Sequence, residues 1–184
     1  MDSERQADGL LIRRLLAGSE ESWTALYRKH RSSVFAFALH MSGSREIAEE
    51  TVQETFIAFL DRVSQFDSSM GSLESYLIGI ARNKVLHLSC RRWREVSVEA
   101  VAEAVEDSDL LADLATRERR DTLRRAVLAL PEPYRAAIVL CELQESSYQE
   151  AAVALNCPIG TVRSRLHRAR QMLIERIVGK GCLV

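Results

Sequence analysis

The chain has 184 residues, a formal net charge of −1 and a pI near 6.4; 47% of its residues are hydrophobic, 28% charged and 6% aromatic. That length suits one domain or two small ones, and the scarcity of glycine, proline and aromatic residues favours an all-helical fold. The near-neutral charge excludes a general polyanion binder, so any nucleic-acid surface must be local or completed by a partner.

In chain order, a first helix is predicted over Leu10–Ala17 and a second from Ser19 or Ser22 to Met41. In the second, Trp23, Leu26, Tyr27, His30, Val34, Phe37 and Ala38 recur at three- and four-residue steps. The SGS stretch at 42–44 breaks the chain, and Ser44 can cap a third helix running to about Val63. Its apolar stripe is Ala48, Val52, Phe56, Phe59 and Val63. The composition of Gln65–Ser72 predicts a loop. Ser72 can cap a fourth helix to about Arg94, with Leu73, Leu77, Ile80 and Leu88 facing the core.

A charge shift follows. Arg91, Arg92 and Arg94 end the fourth helix, and from Val96 to Thr116 there are carboxylates but no Lys or Arg. Such a block reads as an acidic linker. It divides the chain into a helical unit at 1–94, a linker at 95–113 and a second helical unit at 114–184. In the second unit an amphipathic helix should stop before Pro131. Pro133 suits the first turn of the next helix, which carries Ala137, Ile138, Leu140 and Cys141.

Two helices then follow, Tyr148–Leu155 and Pro158 to about Val178. Asn156 lies at the corner, where a left-handed backbone suits it, and Ala152 is small enough for a close crossing. These are the parts of a helix-turn-helix. On the second helix Val162, Leu166, Ala169 and Leu173 form one face. Ser164, His167, Arg168 and Gln171 form the opposite one, with Arg163 beside them, and Arg165 and Arg170 at the borders. Outward arginines can read a major groove while border arginines hold phosphates. Glu175 is almost the only acid in this helix able to neutralise them.

The cysteines, Cys90, Cys141, Cys157 and Cys182, form no CxxC pair, so reduced thiols are expected and no metal site. The histidines, His30, His40, His87 and His167, show no triad or ligand spacing. No catalytic residue, cofactor or metal is expected. The polar, acidic start is unlike a signal peptide. No segment reaches the roughly 18 apolar residues of a membrane span. The expectation is a cytoplasmic protein without membrane insertion.

The blocks LPEPYR, SYQEAA and CPIGTVRSRLHRAR occur in order near the C-terminus. Together they resemble the promoter-binding domain of bacterial RNA polymerase sigma factors, in particular the compact extracytoplasmic-function (ECF) group. REIAEETVQETFIAFLDRVSQFD resembles the sigma helix that docks on the polymerase clamp, and GSLESYLIGIARNKVLHLSCRRWR resembles the helix that captures unwound promoter DNA. The resemblance runs from about Leu10 to Ile177.

It implies that Glu50, Gln53, Glu54 and Leu60, with Ile57 and supported by Phe56, bind core RNA polymerase. It implies that Asn83 and the loop Asp67–Ser72 hold a flipped base of the downstream (−10) element, with Lys84, Arg91 and Arg92 along the backbone. Arg163, Ser164, Arg165, His167, Arg168 and Gln171 fall to the upstream (−35) element. Tyr76 stands where the family often has Trp and is read as core. His87 replaces a common Asp, Leu88–Ser89–Cys90 interrupts a usual basic run, and QESS replaces a glycine-containing turn.

The partners implied are core RNA polymerase, promoter DNA and an anti-sigma factor. The first rival is a dimeric helix-turn-helix regulator that binds a palindrome without polymerase. The others are an enzyme and a sigma-like protein that no longer initiates.

Overall fold

A computed structural model of the chain describes the backbone over residues 2–96 and 114–181 and the side chains over 5–92 and 119–177. The acidic linker expected at 95–113, apart from its first two residues, and Cys182 lie outside the described residues. Every described element is helical.

The first unit holds α1 (Asp2–Leu16), α2 (Glu20–Ser42), α3 (Arg45–Arg62), a 3-10 turn (Val63–Gln65) and α4 (Leu73–Val96). Serines set the starts. Ser19 Oγ accepts from the Ser22 amide at 3.3 Å, Ser44 Oγ from Ile47 at 3.4 Å, and Ser72 Oγ from Ser75 at 3.2 Å. Gly43 closes α2 in the left-handed region, φ +72°, its amide bonded to the Leu39 carbonyl at 2.8 Å.

Helix α1 starts at Asp2, eight residues before the expected Leu10. Its first turns have no apolar periodicity. A polar tie holds the middle of the helix instead: Asp8, 6% exposed, accepts from Lys29 Nζ at 2.6 Å and lies 3.3 Å from His30 Nε2.

The core forms where the stripes of α2, α3 and α4 meet. Leu26, Val34 and Phe37 of α2 join Val52, Phe56 and Phe59 of α3 and Leu73, Leu77, Ile78, Val85 and Leu88 of α4, all buried. Ile80, expected in that stripe, only packs at its edge. Tyr76 stacks edge-on with Phe59 and Phe66 at 6.3 and 5.4 Å, as a core-packed residue.

The second unit holds α5 (Leu114–Leu128), α6 (Glu132–Ile138), a π-helical segment (Val139–Leu143), α7 (Tyr148–Ala154) and α8 (Ile159–Gly181). The sequence suggested that α6 continues as one helix through Cys141; the observed backbone widens to a π turn after Ile138. Where the family usually has a glycine-containing turn, Glu145 takes φ +54°. A left-handed non-glycine residue costs roughly 1–2 kcal/mol. Ser147 and Glu150 form a reciprocal capping box that starts α7.

Although the sequence reads as two units and a linker, the units pack directly together. One buried cluster runs through both. Helix α4 lies on α7, and α2 touches α5, α6 and the π segment. Arg124 and Arg135 donate to the carbonyls of Gly43 and Met41 at the end of α2, where helix carbonyls lack partners of their own. Gln144 Nε2 donates to the Ser33 carbonyl at 2.8 Å. A Cβ on Gly43 would come within 2.7 Å of Leu128, and one on Gly71 within 2.8 Å of Val153.

Candidate nucleic-acid interface

The helix-turn-helix is built as the sequence predicts. Asn156 takes φ +47° at the corner. The Cys157 amide closes the turn on the Ala152 carbonyl at 3.0 Å, and the amides of Thr161 and Val162 return to the Pro158 carbonyl. Val162, Leu166 and Ala169 are buried against α7 and its neighbours. Leu173, half-buried, continues the face.

That burial fixes the opposite side. Arg163, Ser164, His167, Arg168 and Gln171 are all exposed. Along this row three of them, His167, Arg168 and Gln171, are linked by hydrogen bonds. Arg168 Nη1 donates to Gln171 Oε1 at 3.4 Å, and Gln171 Nε2 lies 3.1 Å from His167 Nε2. Arg163 sits over the ring of Tyr148, 5.8 Å from its centroid. The row therefore includes a contact from α7 that the sequence reading missed.

Arg165 is half-buried at the border and donates to Cys157 Sγ at 3.7 Å. Arg170 pairs with Glu142 of the π segment, which holds its guanidinium still more firmly charged. The expectation that acids for these arginines are nearly absent looked only along α8. The π segment supplies one from the side. Cys141 next to it is a free thiol whose pKa burial pushes up.

In the first unit the outer face of α3 carries exposed Gln53, Ile57 and Leu60, with Ile57 60% and Leu60 40% accessible. Glu50 and Glu54 flank it, half-buried. Phe56 departs from this set. It is 2% exposed and packs edge-on to Trp23 at 5.7 Å and Tyr27 at 4.8 Å. It can brace the face from beneath but cannot touch a partner.

The α4 residues fall into two groups. Asn83 is exposed on its outer side, as is His87. Leu88, which interrupts the usual basic run, is buried and belongs to the core. The cations lean toward α3. Lys84 Nζ binds Glu54 Oε2 at 2.7 Å, Arg91 Nη2 binds Glu50 Oε1 at 3.1 Å, and Arg92 pairs with Glu46. The hydrogen bond from Lys84 holds the Glu54 carboxyl below its ordinary range, with the charges of Lys84, His87 and Arg91 adding to it. Glu46 was missed, yet its spacing was readable: Glu46, Glu50 and Glu54 recur every four residues on one ridge.

In the loop before α4, Asp67 Oδ1 accepts from the Ser69 amide at 2.8 Å, a bond that lowers the Asp67 pKa. Its carboxylate is thus occupied in shaping the turn. Ser72 is occupied in capping α4 and touches Ser75 Oγ at 2.9 Å. Of the residues expected to hold a base, Asp67 thus shapes the loop and Ser72 caps α4, while Asn83 stands about three turns further along that helix.

Among the described residues no group of His, Cys, Asp or Glu is arranged to hold a metal ion. No described helix is long and apolar enough to cross a membrane.

Comparison with known proteins follows the same division. The Sigma-70 region 2 profile matches residues 26–95, and the Sigma-70, region 4 profile matches 120–173. The chain is 36% identical to the ECF RNA polymerase sigma factor SigE of Mycolicibacterium smegmatis, over 83% of this chain and 60% of that protein. It is 30% identical to the ECF RNA polymerase sigma-E factor of Escherichia coli, over 95% of this chain and 96% of that protein. Among solved structures it is similar to the sigma factor RpoE of Bartonella quintana, crystallised with the anti-sigma factor NepR. There the TM-score is 0.68 and the identity 27%, covering 85% of this chain and 97% of that one. CnrH in complex with the cytosolic domain of CnrY shares the fold, with a TM-score of 0.72 at 21% identity over 94% and 98% of the two chains.

Proposed function

The chain belongs to the ECF group of RNA polymerase sigma factors, and on that premise we propose how its surfaces divide the work of transcription initiation. The outer face of α3, with Gln53, Ile57 and Leu60 between acidic flanks, docks on core RNA polymerase. An apolar strip edged by carboxylates suits a partner surface edged by cations. Asn83 and the 67–72 loop take up the downstream element as it melts, and the α8 row reads the upstream element as duplex. Extruding a base costs a few kcal/mol, and a pocket that returns this for the right base is selective without bond chemistry. The chain itself catalyses nothing in this reading and works in the cytoplasm.

The observation that carries the proposal is the α8 row. Five polar side chains stand outward on a helix whose other face is packed through Val162, Leu166 and Ala169, which is the geometry a major groove accepts. The near-neutral total charge supports dependence on polymerase, because a chain of net charge −1 supplies little non-specific attraction of its own. The Bartonella relative is held by an anti-sigma factor, and we extend that class of partner to this chain.

Co-purification tests the docking face. The double variant Gln53→Ala, Leu60→Ala should fold normally, because both residues are exposed, and lose most of its retention on sigma-free core polymerase. Retention equal to the native chain would remove α3 from the docking surface.

A further inference from the structure

The surfaces assigned to polymerase and to downstream DNA are not independent, because they hold each other's charges. Glu46, Glu50 and Glu54 form an acidic ridge along α3. Opposite them on α4 stand Arg92, Arg91 and Lys84, each in an ion pair across the helix boundary. Two of these acids flank the strip proposed to meet polymerase, and all three cations are those proposed to follow the DNA backbone.

We propose that this ridge is an ion-pair exchange: polymerase cations engaging the α3 acids release the α4 cations to DNA, so that docking and DNA capture favour each other. The proposal rests on the sigma-factor reading and adds to it a link between two surfaces, with Glu46 as a new member.

The pairs suit exchange. The partners' side chains are 35–72% exposed. Exposed pairs are weak and easily replaced by another ion of the same sign. The three pairs lie along one face, so one incoming basic surface can displace them together. A cation already neutralised by a carboxylate gains less on meeting a phosphate and changes the counterion balance less. The free chain therefore holds its DNA-binding cations in reserve. Coupling of this kind is reciprocal: whatever factor polymerase adds to DNA affinity, DNA adds to polymerase affinity.

The test uses the full-length chain and a fluorescent single-stranded DNA of about 20 mixed-sequence nucleotides, without polymerase. Backbone binding is largely independent of sequence, so the promoter need not be known. Glu54→Gln and Glu46→Gln should each tighten DNA binding about two- to fivefold, and the pair of substitutions about tenfold, the size expected for exposed ion pairs. The salt dependence of log K should steepen by roughly 0.7 per released cation.

Lowering negative charge anywhere helps DNA binding a little, so a double-mutant cycle separates pairing from bulk charge. In a Lys84→Met background the gain from Glu54→Gln should largely disappear. Lys84→Met alone should tighten binding to sigma-free core polymerase severalfold, and that gain should disappear in Glu54→Gln.

Unchanged DNA affinity in the glutamine variants, or equal gains with and without Lys84, would overturn the exchange. Promoter-directed initiation by the native chain is measured alongside. If it occurs while the cycle shows no coupling, the exchange falls and the sigma-factor reading stands. If it does not occur, that reading falls and the exchange with it.

Discussion

Arg82 on α4 donates to Glu132 on α6 at 2.7 Å, with both side chains about one quarter exposed. It joins a helix of the first unit to a helix of the second, the units proposed to capture downstream DNA and to read the upstream element. Arg124, Arg135 and Gln144 add three further hydrogen bonds across the same boundary. On the proposed division of work, the chain in this arrangement cannot reach two promoter elements at once. Elements centred near −35 and −10 are about 25 base pairs apart, or about 85 Å at 3.4 Å per step. A packed chain of this length has a radius of gyration of about 16 Å. The nineteen residues 95–113 reach at most about 65 Å when extended, so the two units would have to separate and supply the remaining span with their own widths.

Weakening the boundary should therefore open the free protein. Arg82→Glu places like charges opposite each other, and Gln144→Ala removes a second tie. The double variant should show a radius of gyration several Å larger by small-angle scattering, with helix content retained. An unchanged radius would mean that apolar packing of α4 on α7 holds the units without these polar ties.

The α8 row proposed to read the upstream element gives a second prediction. Arg168 is exposed, held in line by Gln171, and contributes nothing to the core. Arg168→Ala should cost about 1–3 kcal/mol of binding to an upstream-element duplex and relax selectivity at one base pair. An equal loss on all sequences would instead identify Arg168 as a phosphate contact.

Acid should undo the tie between α1 and α2. Burial alone would raise the Asp8 carboxyl, but His30 and Lys29 beside it outweigh that and hold it below the ordinary aspartate value. A carboxyl depressed by folding contributes stability above its unfolded pKa and loses it as pH falls through the folded value. Asp8→Asn should cost about 1–3 kcal/mol in urea unfolding at pH 7. The gap from the native chain should narrow as pH falls below the ordinary aspartate range and close once it passes the lowered folded value. A gap that persists at low pH would assign the loss to packing, not charge.

Much of this was legible in the chain. Serines at 19, 44 and 72 announced helix starts, and Asn156 between Leu155 and Pro158 announced the tight turn. The exposed face of α8 followed from a hydrophobic stripe of the right period. The misses share a cause. Asp8 holds α1 through a polar contact with residues more than twenty positions away. Glu142 meets Arg170 from another element. Arg135, within a motif associated with DNA reading, spends its guanidinium on the carbonyls of Met41 and Leu130. Periodicity reports which face is buried within one element. It does not report which polar groups meet once elements pack.

The central claim is best tested by adding the purified chain to sigma-free bacterial core polymerase on a pool of promoter fragments and sequencing the transcript starts. Discrete new starts sharing two elements at a fixed spacing are the predicted result, with the upstream element altered by Arg168→Ala. No initiation, together with binding of a palindrome by a dimer of the chain alone, would contradict it.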